Sequence, residues 1–156
     1  TVGYAKTDVE LFGQHLYPAI RGSNGFKTRI FITEGQEDAL AGCAMISHKG
    51  KKLENYPFVS VVGGTEGGIR NLKANLKYVS TFDEIFLCVD NDDAGKNFEI
   101  EACKVLPVGK VNIVRVNPKY GKDFSDLWNK DSPSERERGC EMFWNGMIIF
   151  TVGKTH

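Results

Sequence analysis

Apolar residues come along this chain in short unbroken runs, each followed by a stretch with helical spacing. Ile85-Phe86-Leu87-Cys88-Val89 is five apolar residues without alternation, and it stops at Asp90. An unbroken run of that length fits a strand covered on both faces, as in a parallel α/β sheet. Arg29 to Thr33, Phe58 to Val62 and Val111 to Val116 read the same way. Between them lie helical patterns. Gln36 to about His48 offers Leu40, Cys43, Ala44 and Ile46. After the glycine-rich loop 63–68 come Ile69, Leu72, Leu76 and Val79. From Ala94 onward Phe98, Ala102, Val105 and Leu106 form one stripe, closed by Pro107 and Gly109. The alternation βαβαβαβ predicts a four-stranded, mainly parallel sheet with right-handed crossovers and flanking helices. Past the fourth strand, 117–123 reads as loop, Phe124 to Asn129 as a short helix, and Ser134 to Asn145 as a polar helix docked through Phe143 and Trp144. Upstream, Leu11 to Tyr17 is apolar enough to pack on the domain, and Arg21 to Gly25 is loop by composition.

Bulk properties narrow the picture. A chain of 156 residues suits one domain with a proper core. No apolar run approaches the roughly 20 residues that span a bilayer. The formal net charge is zero, which argues against a free-standing, high-affinity nucleic-acid binder. Cys43, Cys88, Cys103 and Cys140 are scattered without a C-x-x-C pair, so neither a zinc site nor a disulfide framework is expected. That usage fits a reducing cytoplasm. The chain begins without Met and reads as a fragment with neighbours on either side. His15, His48 and His156 are isolated, and no nucleophile set of the Ser/His/Asp or Cys/His kind is supported.

The acids supply the chemistry. The first strand ends at Glu34, the third at Asp90 and Asp92, and the fourth, after its loop, at Asp123. In a parallel sheet all carboxyl ends share one edge, which is where open α/β sheets place ligands. Asp38, four residues after Glu34, can face the same way from the first helical turn. Asp90-Asn91-Asp92-Asp93 taken alone reads equally as a helix cap or as a metal site. Several carboxylates on one edge repel one another unless a cation is present, and that favours a divalent-metal site. On this reading Asp90 and Asp92 are ligands and Asp93 is the helix cap. The loop Gly63-Gly64-Thr65-Glu66-Gly67-Gly68 ends the second strand on the same edge, where its amides can approach a phosphate, but no P-loop spacing is present.

Glu34-Gly35 after one strand and Asp90-x-Asp92 after a later one resemble the TOPRIM domain shared by DnaG-type primases, topoisomerases and some nucleases. The chain is more similar still to fused phage primase–helicases and their mitochondrial relative Twinkle. Leu11-Phe12-Gly13-Gln14-His15-Leu16 resembles the segment before the family's glutamate, and Thr33-Glu34-Gly35-x-x-Asp38 its glutamate motif. Phe82-Asp83-Glu84-Ile85 through Asp90-x-Asp92-x-Ala94-Gly95 resembles the aspartate motif. Leu106-Pro107-Val108-Gly109-Lys110-Val111 and Gly121-Lys122-Asp123 follow in the same order.

The resemblance implies a TOPRIM, Rossmann-like fold and a primase that joins ribonucleotides on a single-stranded DNA template with Mg²⁺ or Mn²⁺ and no zinc in this segment. It implies Glu34, Asp90 and Asp92 as catalytic acids, with Glu34 either a ligand or a general base. It implies Glu34, Asp38, Asp90, Asp92 and Asp123 as metal ligands or their supports. It implies Lys96 and Lys122 as candidate phosphate contacts, against the plainer reading of each as a solvated lysine, and Gly63, Gly64 and Thr65 as lining the edge where nucleotide approaches. Residues 1–28 are expected to be the remnant of a preceding primase subdomain, 29–131 the TOPRIM core, and 132–156 a helix and tail leading to a helicase motor. The expected partners are template DNA, ribonucleoside triphosphates and that motor in cis, with no membrane and a monomeric fragment. The expected setting is a phage protein in bacterial cytoplasm, or a mitochondrion if Twinkle-like. Two other readings are a TOPRIM nuclease and a degenerate scaffold of a replicative helicase.

Overall fold

The computed structural model describes residues 9–18, 28–129, 132–149 and 151–152, with side chains up to residue 145. The loop expected at Arg21 to Gly25 lies outside the described residues. Strand β1 is Arg29–Thr33, followed by α1, Gln36–His48, and β2, Phe58–Ser60. Helices α2, Gly64–Ala74, and α3, Leu76–Val79, lead to β3, Glu84–Cys88. Then come α4, Asp93–Val105; β4, Val111–Val114; α5, Phe124–Trp128; α6, Pro133–Ile149; and β5, Thr151–Val152. The sheet order is β2-β1-β3-β4-β5. The first four strands are parallel, while β5 is a two-residue antiparallel edge that the sequence reading left in the tail.

The unbroken apolar runs have the cause expected of them. In β1, Ile30 and Ile32 face one core with Val59, Ile85, Leu87 and the α2 and α4 residues Leu72 and Phe98. Phe31 faces the other, with Met45, Phe58, Phe124 and Phe143. Phe31 sits in register with Phe58 on one side and Phe86 on the other. Its ring stacks on both, at centroid distances of 4.7 and 4.8 Å. Cross-strand aromatic contacts of this kind add to the area they bury. They pin the register of the three strands whose ends matter most. Leu11 is buried, and Phe12 exchanges backbone hydrogen bonds with Ser60 at 2.8 and 3.1 Å, which covers the β2 edge.

Two local expectations need correction. The stretch 63–68 is not a loop, because α2 begins at Gly64 and contains Thr65 to Gly68. The left-handed turn is confined to Gly63 and Gly64, with φ of 100° and 73°. Gly68 serves packing instead, since a Cβ there would lie 2.9 Å from Val61 Cγ2. The cap of α4 is Asp92, not Asp93: its side chain accepts from the Gly95 amide at 2.7 Å, while Asp93 is the first helical residue. A cap needs extended backbone so that its oxygen can turn back onto the first turn, and Asp92 has it, with φ −127° and ψ 179°.

Helix α4 presses its first turn directly onto the end of β3. A Cβ on Gly95 would lie 1.9 Å from the carbonyl oxygen of Asp90. That contact is backbone against backbone and cannot be relieved by a rotamer. Gly to Ala inside a helix ordinarily stabilises by about 1 kcal/mol. Here Gly95→Ala is expected to destabilise by about 1–3 kcal/mol in urea unfolding, the overpacking range. A neutral or stabilising substitution would contradict this packing.

Candidate metal centre

Three neighbouring strands deliver acids to one edge. Glu34 leaves β1, Asp90 and Asp92 leave β3, and Asp123 follows the loop after β4. The chain steps from β1 to β2 on one side and then crosses to β3 on the other, so the edge between β1 and β3 is a topological switch point. Asp38, in the first turn of α1, is buried below it. One carboxylate oxygen each from Asp38, Asp90 and Asp123 lies within 4.8 Å of the other two. The acids open into a cleft of about 430 Å³ lined by Glu34, Gly35, Gln36, Glu37, Asp38, Asp90, Asp123 and Ser125.

Backbone amides aim Glu34, Asp38 and Asp123. Glu34 Oε2 accepts from the Asp90 amide at 2.7 Å, which ties the end of β1 to the end of β3. Asp38 Oδ1 accepts from the Ser125 amide at 3.0 Å. Asp123 caps α5 by accepting from the Asp126 amide at 3.0 Å. Asn91 holds the loop that carries Asp123. Its Nδ2 donates to the carbonyls of Val116 and Gly121, both at 2.7 Å, and its own amide donates to Lys122 O at 3.1 Å. Asp126 Oδ2 accepts from the Lys122 amide at 2.7 Å. Asn91, Ser125 and Asp126 were not singled out in the sequence, since a polar residue between acids carries no periodic signal.

The remaining expected site residues divide. Asp92 stands beside the three-acid cluster rather than in it. One oxygen serves the cap, and the other lies 4.0 Å from Lys122 Nζ. Gly63, Gly64 and Thr65 are exposed at the start of α2 on the same sheet edge, outside the acidic cleft's lining. Lys96 is exposed on α4 and also outside that lining. Lys122, by contrast, brings its ammonium to the acids.

The electrostatics follow from crowding. Burial, then the charges of Glu34, Asp38, Asp123 and Asp92, push Asp90 from its ordinary 3.8 up to about 8. Asp123 is pushed up to about 6, chiefly by burial, although the Asp126 amide opposes it. Glu34 is raised by burial, with the Asp90 amide pulling the other way. Lys122 is raised by Asp123, Asp90 and Asp92. The donors are carboxylate oxygens with no Cys or His among them, the chemistry a hard divalent cation selects. The cluster therefore fits the ion its charge calls for.

A Toprim-like family model matches residues 31–128. The chain belongs to the Toprim family. It is 38% identical over 113 residues to the DNA helicase/primase of enterobacteria phage T3, covering 72% of this chain and 18% of that protein. The primase fragment of the bacteriophage T7 primase–helicase superposes with a TM-score of 0.63 at 30% identity, covering 90% of this chain and 50% of that one. A structure of T7 lagging-strand DNA polymerase with primase domains of two gp4 subunits bound to an RNA/DNA hybrid and dTTP matches at TM-score 0.66 and 31% identity. There the cover is 99% and 66%. The chain is thus a Toprim domain homologous to the primase region of phage primase–helicases, spanning under a fifth of its phage T3 relative.

The raised Asp90 value carries a sign. The folded Toprim domain holds this proton more tightly than the unfolded chain, so the stabilising contribution is full below about pH 4 and is lost as pH rises through about 8. In metal-free buffer the thermal midpoint is expected to fall between about pH 5 and about pH 8. Asp90→Asn is expected to flatten that fall. A midpoint that rises over this interval in the wild type contradicts the crowding.

Proposed function

We propose that this Toprim domain carries the catalytic centre of a phage-type DNA primase, joining ribonucleotides into RNA primers on single-stranded DNA. The observation that carries the proposal is the convergence of Asp38, Asp90 and Asp123 from three elements on one edge, beside Glu34 and Asp92. Asp38, Asp90 and Asp123 would hold Mg²⁺ or Mn²⁺. Bound there, the ion supplies charge for the triphosphate and lowers the pKa of an attacking 3′-hydroxyl.

The other roles belong to the chain itself. Glu34, fixed by the Asp90 amide and raised by burial, is placed to accept a proton at the cleft's rim. Asp92 keeps one oxygen facing Lys122 and joins Glu34 and Asp90 as the third catalytic acid. Lys122 meets the phosphates, since its ammonium borders Asp123, Asp90 and Asp92. Gly63, Gly64, Thr65 and Lys96 would contact the incoming nucleotide or template only along the outer edge, since none of them lines the cleft. The reading places the domain in phage replication in bacterial cytoplasm, within a longer polypeptide that also carries a helicase motor. The naming of the phage T3 relative as a helicase/primase supports the helicase motor in cis.

The test is primer synthesis by the full-length parent. Glu34→Gln and Asp90→Asn are expected to lower primer yield by at least about 100-fold, the scale of lost general acid–base catalysis, with strand unwinding retained. Undiminished primers from either variant would sink the assignment.

A further inference from the structure

One polar atom at the centre has no bond to make. Ser125 lines the acidic cleft, and its amide serves Asp38 at 3.0 Å. Its hydroxyl oxygen is buried with no hydrogen-bond partner among the described residues. A buried, unpaired hydroxyl costs stability, and such a group calls for an explanation. The site itself supplies one. Ser125 is the second residue of α5, two positions after the cap Asp123, and its own amide reaches Asp38. Both of those acids belong to the three-carboxylate cluster. Each of them accepts one backbone amide through Oδ1, from Ser125 and Asp126, and so keeps acceptor capacity.

We infer that Ser125 is a positioning residue of the metal centre, whose hydroxyl takes a partner in the coordination sphere only when a divalent cation is held by Asp38, Asp90 and Asp123. The inference rests on the metal-centre reading above. Without the cation the hydroxyl is a destabilising feature, and with it the same hydroxyl fixes a carboxylate or a cation-bound water. Outer-sphere partners of this kind commonly account for 10- to 100-fold in metal affinity. The signature is a pair of effects of opposite sign on one side chain, which a structural serine would not give.

The experiment uses the 156-residue chain. Wild type, Ser125→Ala, Ser125→Thr and Asp90→Asn are titrated with Mn²⁺ by calorimetry and melted in metal-free buffer. Ser125→Ala is expected to bind Mn²⁺ about tenfold more weakly while melting at or above the wild-type temperature. Ser125→Thr, which keeps the hydroxyl, is expected to restore binding. Wild-type affinity in Ser125→Ala overturns the inference, as does a loss that Ser125→Thr leaves unrepaired or a lowered metal-free midpoint. Asp90→Asn separates this from the parent reading. If it too binds as wild type, the metal centre itself falls and the inference with it; if it binds weakly while Ser125→Ala does not, only the inference falls.

Discussion

Like charge gathered at one sheet edge is the constraint that the rest of the fold answers. One carboxylate oxygen each from Asp38, Asp90 and Asp123 lies within 4.8 Å of the others, and burial, followed by the neighbouring charges, pushes Asp90 up to about 8. Carboxylates so placed repel unless protonated or neutralised by a cation. Backbone amides hold Asp38, Asp123 and the neighbouring Glu34 in place: Ser125 N on Asp38, Asp126 N on Asp123 and Asp90 N on Glu34. Each such bond also joins elements or closes a turn, so site geometry and fold are held by the same contacts.

The layers beneath make that possible. Phe31, Phe58 and Phe86 lock β2, β1 and β3 in register, so the ends of β1 and β3 stop level. Gly95 lets α4 sit against the Asp90 carbonyl, and Asn91 draws the 116–122 loop onto the same corner. Helix α6 closes the opposite face through Cys140 and Phe143, and His48–Glu137 and Lys49–Glu141 fasten it to α1. Exposed ion pairs of that kind contribute little stability. The buried rings of Phe124 and Phe143, 4.9 Å apart and nearly perpendicular, matter more.

Much of this was legible in the sequence. Unbroken apolar runs reported the parallel sheet, and acids at three strand ends reported the edge, because strand direction alone brings them together. What the pattern hid was conformation that depends on tertiary packing. The glycines at 64, 67 and 68 read as a loop, yet α2 runs through them, and Gly68 is there for its close approach to Val61. Asp92 and Asp93 are equivalent as letters, and only the extended backbone at Asp92 makes it the cap. Ser125 had no signal at all, since its importance lies in a bond it does not make. The Toprim match spans residues 31–128, which include Glu34, Asp90 and Asp92, and the structure adds which acids meet.

The central claim is that acids from three separate elements form one cation site. It is tested most directly by Mn²⁺ titration of Asp38→Asn and Asp123→Asn, residues 85 positions apart in the sequence. The account predicts that each substitution alone weakens a single shared site by tenfold or more, on the order of one charged ligand lost, about 1.4 kcal/mol or above. It also predicts that the double variant loses less than the sum, because the two share one ion. Independent, additive losses, or wild-type binding in either single variant, would contradict it.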